Sequence, residues 1–165
     1  MRTLPVEPLT VEAFLPFGFF AGMLNPVAEK FGASPIEFFR DMQQQNLGDF
    51  NLASFSTCRV APREPVIDAS EFHSTLSESQ LPLDGDVLIH VGPATADAKP
   101  ALDRFRVFHV PRGTLVTLRP GVWHHAPFTV GAAPVNVLIV LPERAYANDC
   151  TVATLAGSER LRVGV

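Results

Sequence analysis

Glu71, His73 and Glu78 lie in the stretch EFHSTLSESQLPLDG, residues 71 to 85, with the form E-x-H-x4-E-x6-G. Glu71 and His73 are two positions apart, so in an extended chain both side chains leave the same face and can converge on one point. Further imidazoles come from RGTLVTLRPGVWHHAPF, residues 112 to 128, where Pro120-Gly121 turns the chain into Trp123, His124 and His125. Imidazole nitrogen and carboxylate oxygen together suit one divalent Zn, Mn, Fe or Ni ion. The same side-chain types can serve as acids and bases. The plain alternative is a pair of core histidines with surface carboxylates near a turn. No organic cofactor is expected.

Other residues could serve the same site. His125 leaves the opposite face of an extended segment from His124, which points to a supporting or interface role. Arg59 and Arg106 are candidates to hold a substrate carboxylate, because guanidinium binds carboxylate in two-pronged fashion. Trp123 either walls the substrate pocket or fills the core. His90 and His109 are weaker candidates, and Lys99, in DAKPA, is expected in a loop.

To position these groups the chain needs short strands. At 165 residues, with 47% hydrophobic and 18% charged residues, it suits one ordinary domain spanning 1–165 with a phenylalanine-rich core. Fifteen prolines between short apolar runs favour a turn-rich β fold. From about residue 50, FNLASFSTCRV, VIDASEFHST, GDVLIHVG, FRVFHVP, GTLVTLRP and PVNVLIVLP form successive strand patterns. In FRVFHV both faces carry apolar residues, so both are expected to be covered. Upstream, RTLPVEPL reads as a strand and Thr10 caps a brief helix through Phe14, with Gly18 as its stop. Ser34, Pro35 and Glu37 form a capping box, which predicts a second helix with Ile36, Phe39 and Met42 on one face.

A net charge of −4 and a pI near 5.7 give no footprint for nucleic acid. FLPFGFFAGML is too short to span a bilayer and is broken by Pro16 and Gly18. Without a leader pattern, Cys58 and Cys150 are expected as reduced, buried thiols of a cytoplasmic protein. The expected partner is a small-molecule substrate.

The two spaced segments resemble the paired metal-binding motifs of cupins, which implies a mainly β, double-stranded β-barrel (jelly roll) over about residues 50–142 with a short N-terminal α/β extension, and implies Glu71, His73, Glu78 and His124 as metal ligands and as the catalytic acids and bases. Glu71 stands where the first motif has its first histidine, Pro120 is one place late, and Phe128 replaces the asparagine that ends the second. Over nearly the whole chain, PLTVEAFLPFG, EFH with PLDGDVL, KPALDRFRVF, GVWHHAPF and NDCTV resemble the bacterial ureidoglycolate lyase family. That resemblance implies a homodimer that splits ureidoglycolate into glyoxylate and urea. Departures from the family pattern are Phe72 for an arginine, Glu78 for a glutamine, and Thr117-Leu118-Arg119-Pro120 for Asn-Tyr-His-Arg. They keep two rivals open: a metal cupin enzyme acting on another small hydroxy or keto acid, and a non-enzymatic metabolite-binding cupin.

Overall fold

Val107 and Phe108 are neighbours on one strand, leave opposite faces of it, and are both fully buried. That strand therefore lies between two cores. The computed structural model describes residues 1–165. Its N-terminal part contains β1 (Arg2–Pro8), α1 (Val11–Phe14), β2 (Gly18–Gly22), β3 (Lys30–Ala33) and β4 (Ile36–Phe39). There follow β5 (Ala53–Val60), β6 (Val66–Ile67), β7 (Ala69–Phe72), β8 (Glu78–Pro82), β9 (Val87–Val91) and β10 (Arg106–Val110). The chain ends with β11 (Thr114–Leu118), β12 (Phe128–Thr129), β13 (Val135–Pro142), α2 (Ala145–Asn148), β14 (Thr151–Thr154) and β15 (Leu161–Gly164).

A six-stranded sheet, β12-β9-β10-β1-β15-β6, faces a five-stranded one, β2-β11-β8-β13-β5, as the double-stranded barrel requires. Between them lies the larger core, with Ile89, Val91, Phe108 and Val110 from one sheet and Val116, Leu118, Val137 and Ile139 from the other. Phe14 meets Phe108 edge-on at 5.2 Å, so α1 plugs this core. Burial of such a side chain is worth about 1.5–3 kcal/mol. The second core covers the other face of the six-stranded sheet and holds Leu88, Phe105, Val107, Trp123, Leu161 and Val163. No helix is long and apolar enough to cross a membrane.

The strand expectations from residue 50 onward hold, as do the opening strand and Thr10, whose side chain accepts from Ala13 N at 3.3 Å. Phenylalanine contributes less to the cores than its abundance suggests. Phe14, Phe17, Phe105, Phe108 and Phe128 are buried, whereas Phe19, Phe31, Phe38 and Phe55 are exposed.

The second helix is overturned: Lys30–Ala33 and Ile36–Phe39 pair as an antiparallel hairpin turning at Ser34-Pro35. Ile36, Phe38 and Phe39 are branched or aromatic residues that favour strands, and a short helix here has no core against which to bury an apolar face. Gly32, at φ 80°, lets the two arms approach closely, since a Cβ there would meet the Ile36 carbonyl oxygen at 2.5 Å. Lys30 and Glu37 form an ion pair across the hairpin. The capping-box glutamate thus serves a cross-strand pair.

Candidate functional site

The two motif segments meet by main-chain pairing. Glu71 N donates to His124 O at 2.6 Å, His124 N donates to Glu71 O at 2.8 Å, and Gly121 N donates to His73 O at 2.6 Å. Gly121, at φ 80°, is the left-handed position that the turn into Trp123 requires. Trp123 and His124 then leave opposite faces, the indole into the second core and the imidazole toward Glu78.

Three of the four expected ligands converge. Glu78 Oε2 lies 3.2 Å from His73 Nε2 and 3.3 Å from His124 Nε2. One donor atom from each of the three lies within 4.8 Å of the others. The residues are buried, at 2%, 4% and 2% exposure for His73, Glu78 and His124.

The remaining hydrogen bonds show which ring nitrogens are free. His73 Nδ1 reaches Asp149 O at 2.5 Å, and His124 Nδ1 reaches Val122 O at 2.9 Å. A carbonyl oxygen only accepts, so both Nδ1 atoms carry protons and both Nε2 lone pairs are directed at the carboxylate. Two lone pairs and a negative charge need a cation among them. A proton on one imidazole meets that need, and so does a divalent ion. Ligands ~2.0–2.2 Å from one ion lie about 3–3.5 Å apart, which the two imidazole-carboxylate spacings match. Histidines anchored through their other nitrogen, with one carboxylate, form the two-His-one-carboxylate set.

Electrostatics follow from burial and pairing. Burial pushes the Glu78 carboxyl up, but the charge and hydrogen bond of His124, with the contacts of His73 and Gln80, outweigh it, holding the group far below the usual carboxylate range. Burial pushes His124 down, and the charge and hydrogen bond of Glu78, with help from the Val122 carbonyl and Glu71, raise it above its ordinary value. The ion-free site is a carboxylate-imidazolium pair.

Glu71 stands apart from the three converging residues. Its Oε2 accepts from Cys150 Sγ at 3.4 Å, and it borders the three-residue group without joining it. That thiol is pushed up to about 12 by burial and by Glu71, so it stays protonated. Cys58 and Cys150 are free, as expected, but only half-buried.

The candidates for substrate binding lie elsewhere. Arg59 is exposed on edge strand β5, near the Asp84 carboxyl that hydrogen bonds from Asn136 chiefly, and the Arg59 charge least, hold down. Arg106 is committed to Glu7, with Nε donating to Oε1 at 2.8 Å and Nη2 paired with Oε2, while Nη1 donates to Ala13 O at 2.8 Å. It fastens β10 to β1 and α1. Trp123 is fully buried, donates Nε1–H to Thr95 Oγ1 at 3.0 Å, and packs edge-on against Phe72 at 4.6 Å. Phe72 is thus an apolar partner of the tryptophan.

The other histidines divide similarly. His125 is half-buried and outside the three-residue group, while His109 Nε2 pairs with Asp86 at 3.0 Å. His90 is buried and held neutral by burial, with Nε2 at 3.1 Å from Ser70 Oγ. Ser70 Oγ in turn donates to His124 O at 3.2 Å, so His90 braces the main chain beneath His124. Lys99 is exposed in a loop.

Two further residues act on the site without having been expected. Gln80 donates Nε2–H to Glu78 Oε1 at 2.8 Å, from the same face of β8. Asp149 accepts from Ser74 N, Thr75 N and Thr75 Oγ1 at 2.7–2.8 Å, tying the loop after His73 to the start of β14. The acidic residue beside cysteine in NDCTV was the available signal for Asp149; Gln80 had none.

The ureidoglycolate lyase family model matches residues 1–162. A ureidoglycolate lyase of Rhodobacter capsulatus is 32% identical over 136 residues, covering 80% of this chain and 82% of that one. One of Pseudomonas syringae pv. tomato is 29% identical over 172 residues, covering 98% and 95%. Among solved structures, a dTDP sugar isomerase of Desulfovibrio desulfuricans shares the fold, with a TM-score of 0.50, 16% identity and 87% coverage of both chains. Matched along nearly its whole length and carrying the paired Glu71/His73 and His124 segments in register, this chain belongs to the ureidoglycolate lyase family.

Proposed function

We propose that the protein cleaves ureidoglycolate to glyoxylate and urea at the His73-Glu78-His124 group. The observation that carries this reading is the buried convergence of two imidazoles and one carboxylate in a chain of this family. Ureidoglycolate has one carbon bearing a hydroxyl, a carboxylate and the urea nitrogen. Its cleavage moves the hydroxyl proton to that nitrogen while the C–N bond breaks and the C=O bond forms.

Both Glu78 oxygens are engaged, Oε2 by His73 and His124 and Oε1 by Gln80, so its role is to fix the two imidazoles. Glu71 borders the group with a carboxylate bonded only to a neutral thiol, and it is assigned the transfer: an Oε atom takes the hydroxyl proton and returns it to the departing nitrogen. A Zn, Mn, Fe or Ni ion held by His73, Glu78 and His124 would supply a Lewis acid for the substrate hydroxyl and carboxylate. With Arg59 exposed on an edge strand and Arg106 committed to Glu7, neither arginine is assigned to the carboxylate. We further propose a homodimer, on family resemblance, and a cytoplasmic location, which suits the two free thiols.

Glyoxylate and urea are quantified together for the wild type and His124→Ala, loaded in turn with each of the four ions. Release above the spontaneous rate by the wild type alone is expected. A rival reading, an enzyme acting on another small hydroxy or keto acid, is favoured by Leu118, which is packed in the core where the family carries tyrosine. Turnover of such an acid without urea release would establish it.

A further inference from the structure

We propose that Tyr146 contacts the substrate, its phenol donating a hydrogen bond to the ureido oxygen as the C–N bond breaks. The proposal rests on the ureidoglycolate reading above and assigns a role to a residue outside the ligand set.

Tyr146 is the only tyrosine in the chain. It sits on α2, 60% exposed, and its ring meets that of His73 edge-on at 6.2 Å, whereas His73 itself is 2% exposed. The phenol thus stands between solvent and a buried imidazole.

The backbone holds this placement. Arg144, just before α2, adopts φ 60° and ψ 24°, a left-handed conformation that non-glycine residues rarely take. On one side of Tyr146, Ala145 is buried in the larger core; on the other, Asp149 is bound by Ser74 and Thr75. Both ends of the short helix are therefore anchored, and Tyr146 projects between them.

The chemistry leaves a place for such a donor. When the C–N bond breaks, its electron pair moves onto nitrogen and is shared with the ureido oxygen, where negative charge collects. His73 and His124 each commit Nδ1–H to a main-chain carbonyl, and the Cys150 thiol is committed to Glu71. A phenol is neutral and a donor at neutral pH. In this scheme the hydroxyl proton travels through Glu71 to nitrogen, and Tyr146 keeps its own proton.

The test compares the wild type with Tyr146→Phe, which keeps the ring, and measures two quantities. The first is kcat for ureidoglycolate, which should fall about 10²-fold with bound ion and melting temperature unchanged. The second is calorimetric binding of N-carbamoylglycinate, the substrate without its hydroxyl, which should weaken about ten-fold. Unchanged kcat and unchanged binding in Tyr146→Phe, beside an active wild type, overturn the role of Tyr146 and leave the lyase reading standing. If the wild type releases no urea yet binds N-carbamoylglycinate ten-fold more tightly than Tyr146→Phe, the lyase reading fails and the contact stands. If the wild type neither releases urea nor binds the probe, both fail.

Discussion

The imidazole of His73 is oriented by a residue 76 positions away: its Nδ1–H donates to the main-chain oxygen of Asp149 at 2.5 Å. The carboxylate of Asp149 meanwhile accepts from Ser74 N, Thr75 N and Thr75 Oγ1, so one residue holds both the ring and the loop that follows it. Asp149→Ala keeps the carbonyl and removes the clamp. Outer partners of this kind are worth about 10–100-fold in metal affinity. We expect Asp149→Ala to bind zinc or manganese at least ten-fold more weakly in a chelator competition, with a stability loss of about 1–2 kcal/mol. Unchanged affinity would show that the carbonyl alone suffices.

The carboxylate-imidazolium pair predicts a pH dependence for the protein kept ion-free with chelator. His124 is raised above its ordinary 6.5, so its stabilisation is complete below that pH and is lost as pH rises through the folded-state value. Glu78 is depressed below its ordinary 4.5, so its stabilisation is complete above that pH and is lost as pH falls toward the folded-state value. Both contributions are complete only between 4.5 and 6.5. Melting temperatures of the wild type and Glu78→Gln should differ most in that window, with the wild-type advantage shrinking above it. A constant difference from pH 5 to pH 9 would mean that the pair does not carry a proton.

Arg106 should matter for stability and not for catalysis. It is about one-third exposed and paired with Glu7, and such pairs contribute about 1 kcal/mol or less. Arg106→Ala also loses the bond to the Ala13 carbonyl that steadies α1. Chemical denaturation should show a loss of about 1–2 kcal/mol with KM for ureidoglycolate unchanged. A ten-fold rise in KM at unchanged stability would return Arg106 to the substrate.

His73, Glu78 and His124 were legible in the sequence through the spacing of two segments that resembles the paired cupin motifs, and those segments pair directly through Glu71 and His124. The partners that decide roles were not legible, because they are distant along the chain. Arg106 and Glu7 are 99 residues apart, and nothing near Arg106 announces the carboxylate that claims it. Glu71 satisfies the spacing rule, but Cys150 engages its carboxylate. Trp123 was ambiguous for another reason: a turn into Trp-His-His says which residues alternate, while only the second core decides which face is covered. The hairpin at residues 30–39 was misread because a capping box is a local signal and the cross-strand pair of Lys30 with Glu37 uses the same residues.

Gln80 supports Glu78 from within the barrel. It is 3% exposed, its Nε2 donates to Glu78 Oε1 at 2.8 Å, and its own Oε1 has no partner. A carboxylate can only accept, so the amide is held with nitrogen toward Glu78 and the unpaired oxygen away from it. Gln80→Leu removes a hydrogen bond to a charge, worth about 1.5–3 kcal/mol, and with it an unsatisfied buried acceptor that costs about 1–3 kcal/mol. The two effects nearly cancel in stability. They do not cancel at the site, where Glu78 loses the donor that keeps Oε2 facing His73 and His124. We expect the melting temperature to stay within about 4 °C of wild type, while zinc or manganese affinity falls about ten-fold. Unchanged affinity in Gln80→Leu would reduce the amide to filling space in the barrel, and a collapse in stability would show that the unpaired oxygen has a partner after all.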